Sequence, residues 1–296
     1  MLKRLLTALI IVPPFLLLIR FGPPYVLAIM VSVAAVLGLY EFYHMTLPQG
    51  GAGSKIGAIA LGAVLCGLFQ WAHYGEIILF LAVILLALFF AYAFFSEELS
   101  MLPNRIGITF LGIIYVPFLL SHITLINKLP QGVFWVLLLV ATVWIGDTFA
   151  LAIGSWLGRH KLSPLISPHK TIEGFVACFV GTILTVFVCR SLFFPTLMIA
   201  DALMVATGIA LFGQLGDLSE SMIKRGAKVK DSGTLIPGHG GMLDRLDSFL
   251  FAAPFLYYFL AYKMFPGDHE AAGHPGIDRV RRGQYPRDRG TVQGGV

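Results

Sequence analysis

Long apolar stretches alternate with short polar ones along this chain. Nine of the stretches approach the roughly 20 residues an α-helix needs to cross a bilayer. They fall near 3–21, 23–45, 54–72, 76–95, 104–126, 131–153, 172–193, 197–219 and 246–265. The runs are continuous rather than alternating, which predicts helices and excludes a membrane β-barrel. Pro13-Pro14 and Pro23-Pro24 interrupt helical hydrogen bonding, so residues 1–45 are expected to kink or to run partly along the interface. Glycines inside the spans, among them Gly57, Gly62 and Gly67, permit close helix contact. No internal repeat is present. The predicted fold is an all-α, polytopic membrane helical bundle of about nine transmembrane helices. Residues 1–130 form N-terminal membrane helices, and 131–265 form a second membrane region with polar loops at 154–171 and 220–245. Residues 266–296 form a tail rich in Gly, Pro, Arg and Asp that lacks a core of its own.

Composition supports the same class. The chain is 57% hydrophobic and 12% charged, against about 25% charged for a soluble domain, and its mean hydropathy is +0.82. The net charge of +5 is modest, and its basic residues gather in a few loops. That distribution suits a membrane surface or an anionic ligand, and no nucleic-acid-binding motif accompanies it. The start MLKRLLTALIIVPPFLLLI resembles a signal peptide, but no small-residue cleavage site follows, so a retained first helix is expected. Cys66, Cys178 and Cys189 all lie in apolar runs without a CxxC pair and read as packing residues.

The basic loops set an orientation. Arg159, Lys161, Lys170, Lys224, Arg225, Lys228, Lys230 and Arg245 share one predicted side, and the positive-inside rule places that side in the cytoplasm. Nine crossings put the C-terminus outside, although the tail carries five arginines, offset in part by four acids. The clustering of the two large loops carries more weight than the count of crossings.

Against this apolar background, 217–247 stands apart. It holds ten charged residues, five of each sign, in 31 positions. If the eighth span continues as helix past the membrane edge, Asp217, Glu220, Ser221 and Lys224 fall at i, i+3, i+4 and i+7 on one face. Gly226, Gly233, Pro237, Gly238, Gly240 and Gly241 then break regular structure. The ninth span opens near Met242, with Asp244, Asp247 and Ser248 on one face. Two helix ends would thus face each other, each presenting an aspartate. Asp217 opposite Asp244 suits a hard cation such as Mg²⁺, which prefers oxygen ligands. His239-Gly240-Gly241, at a helix start, would offer free N–H groups to phosphate. Lys224, Arg225, Lys230 and Arg245 are placed to neutralise a triphosphate, with Asp231 and Asp247 orienting them or binding a second ion. A solvated loop with surface ion pairs is the alternative, although ionisable groups at a membrane edge are functional by default.

A second polar group lies at 144–174, on the same predicted side. Asp147 sits near the end of the sixth span and reads either as a ligand contact or as a polar contact between helices. Ser167-Pro168 suits a turn, and Lys170 and Thr171 read as phosphate or base contacts. Thr171 to Gly174, including Glu173, also reads as the bare start of the seventh span. Glu41 reads as an interhelical or interfacial contact, and His73 and His122 as isolated residues. The Phe-rich run 88–95 reads as lipid-facing or packing surface.

Ser221 to Asp247 reads S-M-I-K-R-x4-K-D-S-G-x2-I-P-G-H-G-G-x2-D-R-L-D. It resembles the signature of the phosphatidate cytidylyltransferases, or CDP-diacylglycerol synthases. The upstream W-x2-D-T-x-A at 144–150 and S-P-x-K-T-x-E-G at 167–174 resemble the same family in the same order. The resemblance covers most of residues 1–265. It implies an enzyme of phospholipid biosynthesis, integral to the cell (inner) membrane with its active site facing the cytoplasm. That enzyme transfers CMP from CTP to phosphatidic acid, giving CDP-diacylglycerol and pyrophosphate. It also implies Mg²⁺, a metal centre that can include K⁺ as a second ion, and a homodimer. By the resemblance, Asp217 and Asp244 carry the metal. Substrate contacts fall to Asp147, Ser167, Lys170, Thr171, Glu173, Ser221, Asp231, His239, Gly240, Gly241 and Asp247. His169 stands where the family usually has Lys, and Leu151 where Tyr is frequent. A CTP-dependent polyprenol kinase, and less so an ion-coupled transporter, are the alternatives. The D-x2-D-G-x2-A-R motif of CDP-alcohol phosphotransferases is absent, because Ser248 and Phe249 follow Asp247.

Overall fold

The computed structural model describes residues 13–47, 52–71, 73–95, 99–235 and 240–265. Apart from one small hairpin and the connecting turns, these residues are helical. Residues 13–21 are the described part of α1. There follow α2 (Pro24–Thr46), α3 (Ala52–Trp71), α4 (Tyr74–Phe95) and α5 (Leu102–Ile113), then a π-helical stretch Ile114–Phe118 and α6 (His122–Lys128). The second half comprises α7 (Gly132–Leu157), β1 (Lys161–Ser163), β2 (Ser167–Thr171), α8 (Ile172–Phe193), α9 (Ile199–Gly226) and α10 (Leu243–Phe259).

The apolar runs of the sequence reappear as these helices because backbone groups in a bilayer must be satisfied within their own segment. Among the described residues, six helices are long and apolar enough to cross a membrane, and Lys55–Trp71 is a shorter apolar helix. The expected span at 104–126 is one of these six, Leu102–Lys128, within which α5 and α6 are joined by the π-helical stretch that contains Pro117. A proline removes an N–H donor and clashes with the preceding turn, and a π-bulge is one way to absorb it. Pro23-Pro24 interrupts the helix as expected, whereas the segment before Pro13 lies outside the described residues. Helix α1 ends at Gly22, and Pro24 opens α2, where its missing N–H costs nothing.

Helix α2 is the hub of the N-terminal half, with Ala35, Leu39, Phe42 and Tyr43 all buried. It packs on α3, on the π-helical stretch and on α10. The other half is built on α7 against α8, α9 against α10, and α8 against α9. Phe89, Phe90 and Phe94 on α4 are exposed, as a lipid-facing surface requires, and the three cysteines are free and buried.

Helix α9 is 28 residues long, or about 42 Å at 1.5 Å per residue. A hydrocarbon core is about 30 Å thick. The excess carries the charged turns of α9 beyond the apolar layer while they remain helical. They meet the first turns of α10 at a crossing where the backbones touch. A Cβ at Gly216 would collide with the carbonyl oxygen of Asp247. Backbone cannot swing aside as a side chain can, so Gly216→Ala should separate the helices and cost about 1–3 kcal/mol. The check is the thermal unfolding midpoint of the purified variant.

The loop expected at 154–171 is in part a hairpin. Strands β1 and β2 are antiparallel, with Lys161 opposite Thr171 and Ser163 opposite Ser167.

Candidate active site

Residues 217–226 of α9 and the start of α10 run antiparallel, and their register decides which charges meet. Gly216 lies against Asp247 and Ser248. Two turns further along, Lys224 Nζ is 2.6 Å from Asp244 Oδ1 and also pairs with Glu220. The expected face of Asp217, Glu220, Ser221 and Lys224 exists: Glu220 and Ser221 are buried, while the side chains of Asp217 and Lys224 keep 26% and 13% exposure. The expected pairing of Asp217 with Asp244 is displaced. Asp217 lies at the level of Asp247, whereas Asp244 lies about one turn away at the level of Glu220 and Lys224. Helical spacing places residues on faces but leaves the relative slide of two helices open, and the Gly216 contact determines that slide here.

Asp244 is heavily engaged. Its carboxylate accepts from Lys224 Nζ at 2.6 Å, from Gly241 N at 2.8 Å and from Ser232 N at 3.2 Å. Burial disfavours its charged form, but the Lys224 ammonium and the Gly241 N–H outweigh that and hold the carboxyl below the usual carboxylate range.

Of the N–H groups at 239–241 expected to be free for phosphate, that of Gly241 is engaged, as are the next two along the chain. Gly241 N donates to Asp244, while Met242 N and Leu243 N each donate to the carboxylate of Glu41 at 2.9 Å. Glu41 Oε2 also accepts the Ser232 hydroxyl at 2.9 Å. A lone acid in an apolar helix 190 residues upstream offered only one signal, namely the cost of burying it unless something satisfies it. Gly240 has φ +83°, a left-handed conformation that favours glycine. His239 lies outside the described residues.

The second polar segment closes on the first. Lys170 Nζ, from the end of β2, is 2.6 Å from Asp217 Oδ2. Arg225 Nε donates to the carbonyl of Ile166 at 3.2 Å, tying the end of α9 to the hairpin. Thr171 takes the structural alternative: it is the N-cap of α8, and its hydroxyl accepts from Gly174 N at 3.1 Å. Thr171→Ala should therefore cost about 1 kcal/mol of stability, and Thr171→Ser should restore it. Thermal unfolding checks both. Glu173 is taken up by His160, whose Nδ1 is 2.7 Å from Oε1. Ser167 is partly buried in β2, and Lys230, Asp231 and Arg245 are exposed at the rim.

Asp147 lies within α7 rather than at its end. It borders a cavity of about 10 Å³ with Thr142, Thr182, Gln214 and Ser248. Asp147, Asp217 and Glu220 each lie within electrostatic range of Asp247, and Asp217 within range of Asp147. Among the described residues, no three His, Cys, Asp or Glu side chains converge closely enough to hold a metal by themselves. The donor set still fits Mg²⁺, which commonly takes one or two carboxylates and completes its shell with water and substrate phosphate. Asp217 and Asp247, at one level of the crossing, are hard oxygen donors with a single neighbouring lysine on Asp217.

These features define a class: a polytopic helical membrane protein with a partly buried acid–lysine network where α9 and α10 cross at one edge of the bundle. A family model described as the Cytidylyltransferase family matches residues 2–263, and the chain belongs to that family. Over 159 residues it is 39% identical to a phosphatidate cytidylyltransferase of Bacillus subtilis, a stretch covering 53% of this chain and 59% of that protein. It is 47% identical over 135 residues to a protein of the same name in Synechocystis, covering 45% of each chain. It is also 45% identical over 126 residues to the Staphylococcus haemolyticus protein of that name, covering 43% of this chain and 48% of that one. The chain spans about half the length of the curated relatives it matches.

Proposed function

We propose that the protein is a phosphatidate cytidylyltransferase: it transfers CMP from CTP to phosphatidic acid, giving CDP-diacylglycerol and pyrophosphate. The observation that carries this reading is the ionic crossing of α9 and α10 at the end of an apolar bundle, joined by Lys224 and flanked by the Lys170–Asp217 pair from the hairpin. A substrate with acyl chains in the bilayer and a phosphate at its surface would meet a water-borne nucleotide at such a place. The family membership and the names of the relatives support the same reading.

The phosphate of phosphatidic acid is already a nucleophile, so no strong general base is needed. One of its oxygens attacks the α-phosphorus of CTP, the bond to the β-phosphate bridging oxygen breaks, and pyrophosphate leaves. The obstacle is the approach of two anions. Lys230 and Arg245, exposed at the rim, would meet the triphosphate first. Lys224 and Lys170 are committed to carboxylates and would hold Glu220, Asp244 and Asp217 in place. Arg225 would hold the hairpin against α9 so that Lys170 stays in place. Asp217, Asp244 and Asp247 would hold Mg²⁺, with Asp217 and Asp247 the less encumbered pair. A divalent ion held there would supply charge stabilisation for the leaving pyrophosphate. A second, monovalent ion and a homodimer belong to the same reading. So does a cytoplasmic site, which the basic loops support.

The test is incubation of the purified protein with CTP labelled in the cytidine, phosphatidic acid and Mg²⁺. Pyrophosphate and a cytidine-bearing lipid are expected. Release of CDP with a phosphorylated lipid would instead mark a CTP-dependent polyprenol kinase.

A further inference from the structure

Glu41 lies on α2, outside every polar motif of the chain, yet it reaches into the site. It is 2% exposed, and its two oxygens accept three hydrogen bonds of 2.9 Å, from Ser232 Oγ, Met242 N and Leu243 N. Among the described residues no Lys or Arg forms an ion pair with it. Its charge is met instead by N–H groups at the positive end of α10. The loop closes tightly around it. A Cβ on Gly233 would lie 2.5 Å from Glu41 Oε1, and one on Gly241 would strike both the Glu41 carboxylate and Ser232 Oγ. Glycine at 233 and 241 therefore lets backbone wrap this carboxylate.

Ser232 relays the contact. It is buried, donates its hydroxyl to Glu41, accepts from Asp244 N at 3.3 Å, and donates its own N–H to Asp244 Oδ2 at 3.2 Å. A short path thus runs from Glu41 through Ser232 and the first turn of α10 to the carboxylate of Asp244, and on to Lys224. Because α2 is the hub of the N-terminal half, this path fixes the start of α10 to a surface that Asp244 itself does not touch.

We infer that Glu41 is a positioning residue for the reaction: through Ser232 and the α10 N-terminus it sets where the Asp244 carboxylate sits. The inference rests on the proposed cytidylyltransferase activity and adds a residue to it. Gln in place of Glu41 keeps the volume but presents an NH₂ to a set of donors, so at least one of the three bonds is lost. Alanine in place of Ser232 removes the relay and leaves Glu41 on the backbone.

The experiment compares full-length wild type, Glu41→Gln, Ser232→Ala and the double variant, purified in detergent and assayed with CTP, phosphatidic acid and Mg²⁺. Unfolding midpoints are recorded alongside, and rates are expressed per folded molecule. An inactive wild type would count against the proposed function. An active wild type makes the variants decisive for Glu41. In Glu41→Gln, kcat should fall roughly tenfold or more while KM for CTP moves less than about threefold, as expected when geometry in the transition state is lost. Ser232→Ala should lose less, and the double variant should be no worse than Glu41→Gln, because both act along one path. If Glu41→Gln is not recovered folded, the kcat of Ser232→Ala alone decides, with a fall at unchanged KM supporting the inference. A kcat within about twofold of wild type, or multiplicative losses in the double variant, would overturn it.

Discussion

Asp217→Asn should lower turnover at least about a hundredfold, the scale expected when several kcal/mol of metal-assisted charge stabilisation is removed. Asn matches Asp in shape and can still accept from Lys170, which lies 2.6 Å from Oδ2. The helix crossing should therefore survive, and only the charge is lost. Product formation from labelled CTP measures the effect, and circular dichroism checks the fold. Asp244→Asn should reduce turnover to a similar degree, but with a lower unfolding midpoint. Asp244 supports Lys224, Ser232 and Gly241 at once, whereas Asp217 pairs with Lys170. Near-normal turnover in Asp217→Asn would remove it from the metal assignment.

The second large effect is on stability. Lys224→Met should cost about 3–5 kcal/mol, the range for removing one partner of a buried ionic group. Lys224 is 13% exposed in its side chain and neutralises two acids, of which Glu220 is fully buried and Asp244 keeps 12%. Methionine fills the stem but leaves both carboxylates facing each other without a cation. The drop should appear in the thermal unfolding midpoint in detergent. Adding Glu220→Gln to Lys224→Met should recover part of it, because one of the two stranded charges is gone. A midpoint unchanged by Lys224→Met would show that the cation does not hold α9 to α10.

Much of this architecture is legible in the chain because the bilayer imposes it. Runs such as 172–193 and 197–219 can only be helices in hydrocarbon; α8 matches the first, and α9 covers the second from Ile199. The i, i+3, i+4, i+7 placement of Asp217, Glu220, Ser221 and Lys224 is equally local, and it appears as a shared inner face. Thr171 shows where local reading stops. Its pattern fits both a ligand contact and an N-cap, and only the Gly174 N–H in reach of its hydroxyl separates them. The hairpin at 161–171 was missed because two strands of three and five residues carry little alternating pattern.

What the sequence determined by itself was the class of protein, its helices, and the set of charged residues that form the site, since all three follow from composition and from spacing along one helix. Tertiary structure alone decided the pairings. The contact of Gly216 with Asp247 sets the slide of α10 on α9, and so gives Lys224 to Asp244 and leaves Asp217 to Lys170. It also delivered Glu41 to the start of α10, where its carboxylate takes the N–H groups of Met242 and Leu243. A carboxylate in one helix has no way to encode, in its own neighbours, which distant helix end will satisfy it. That depends on how whole helices pack.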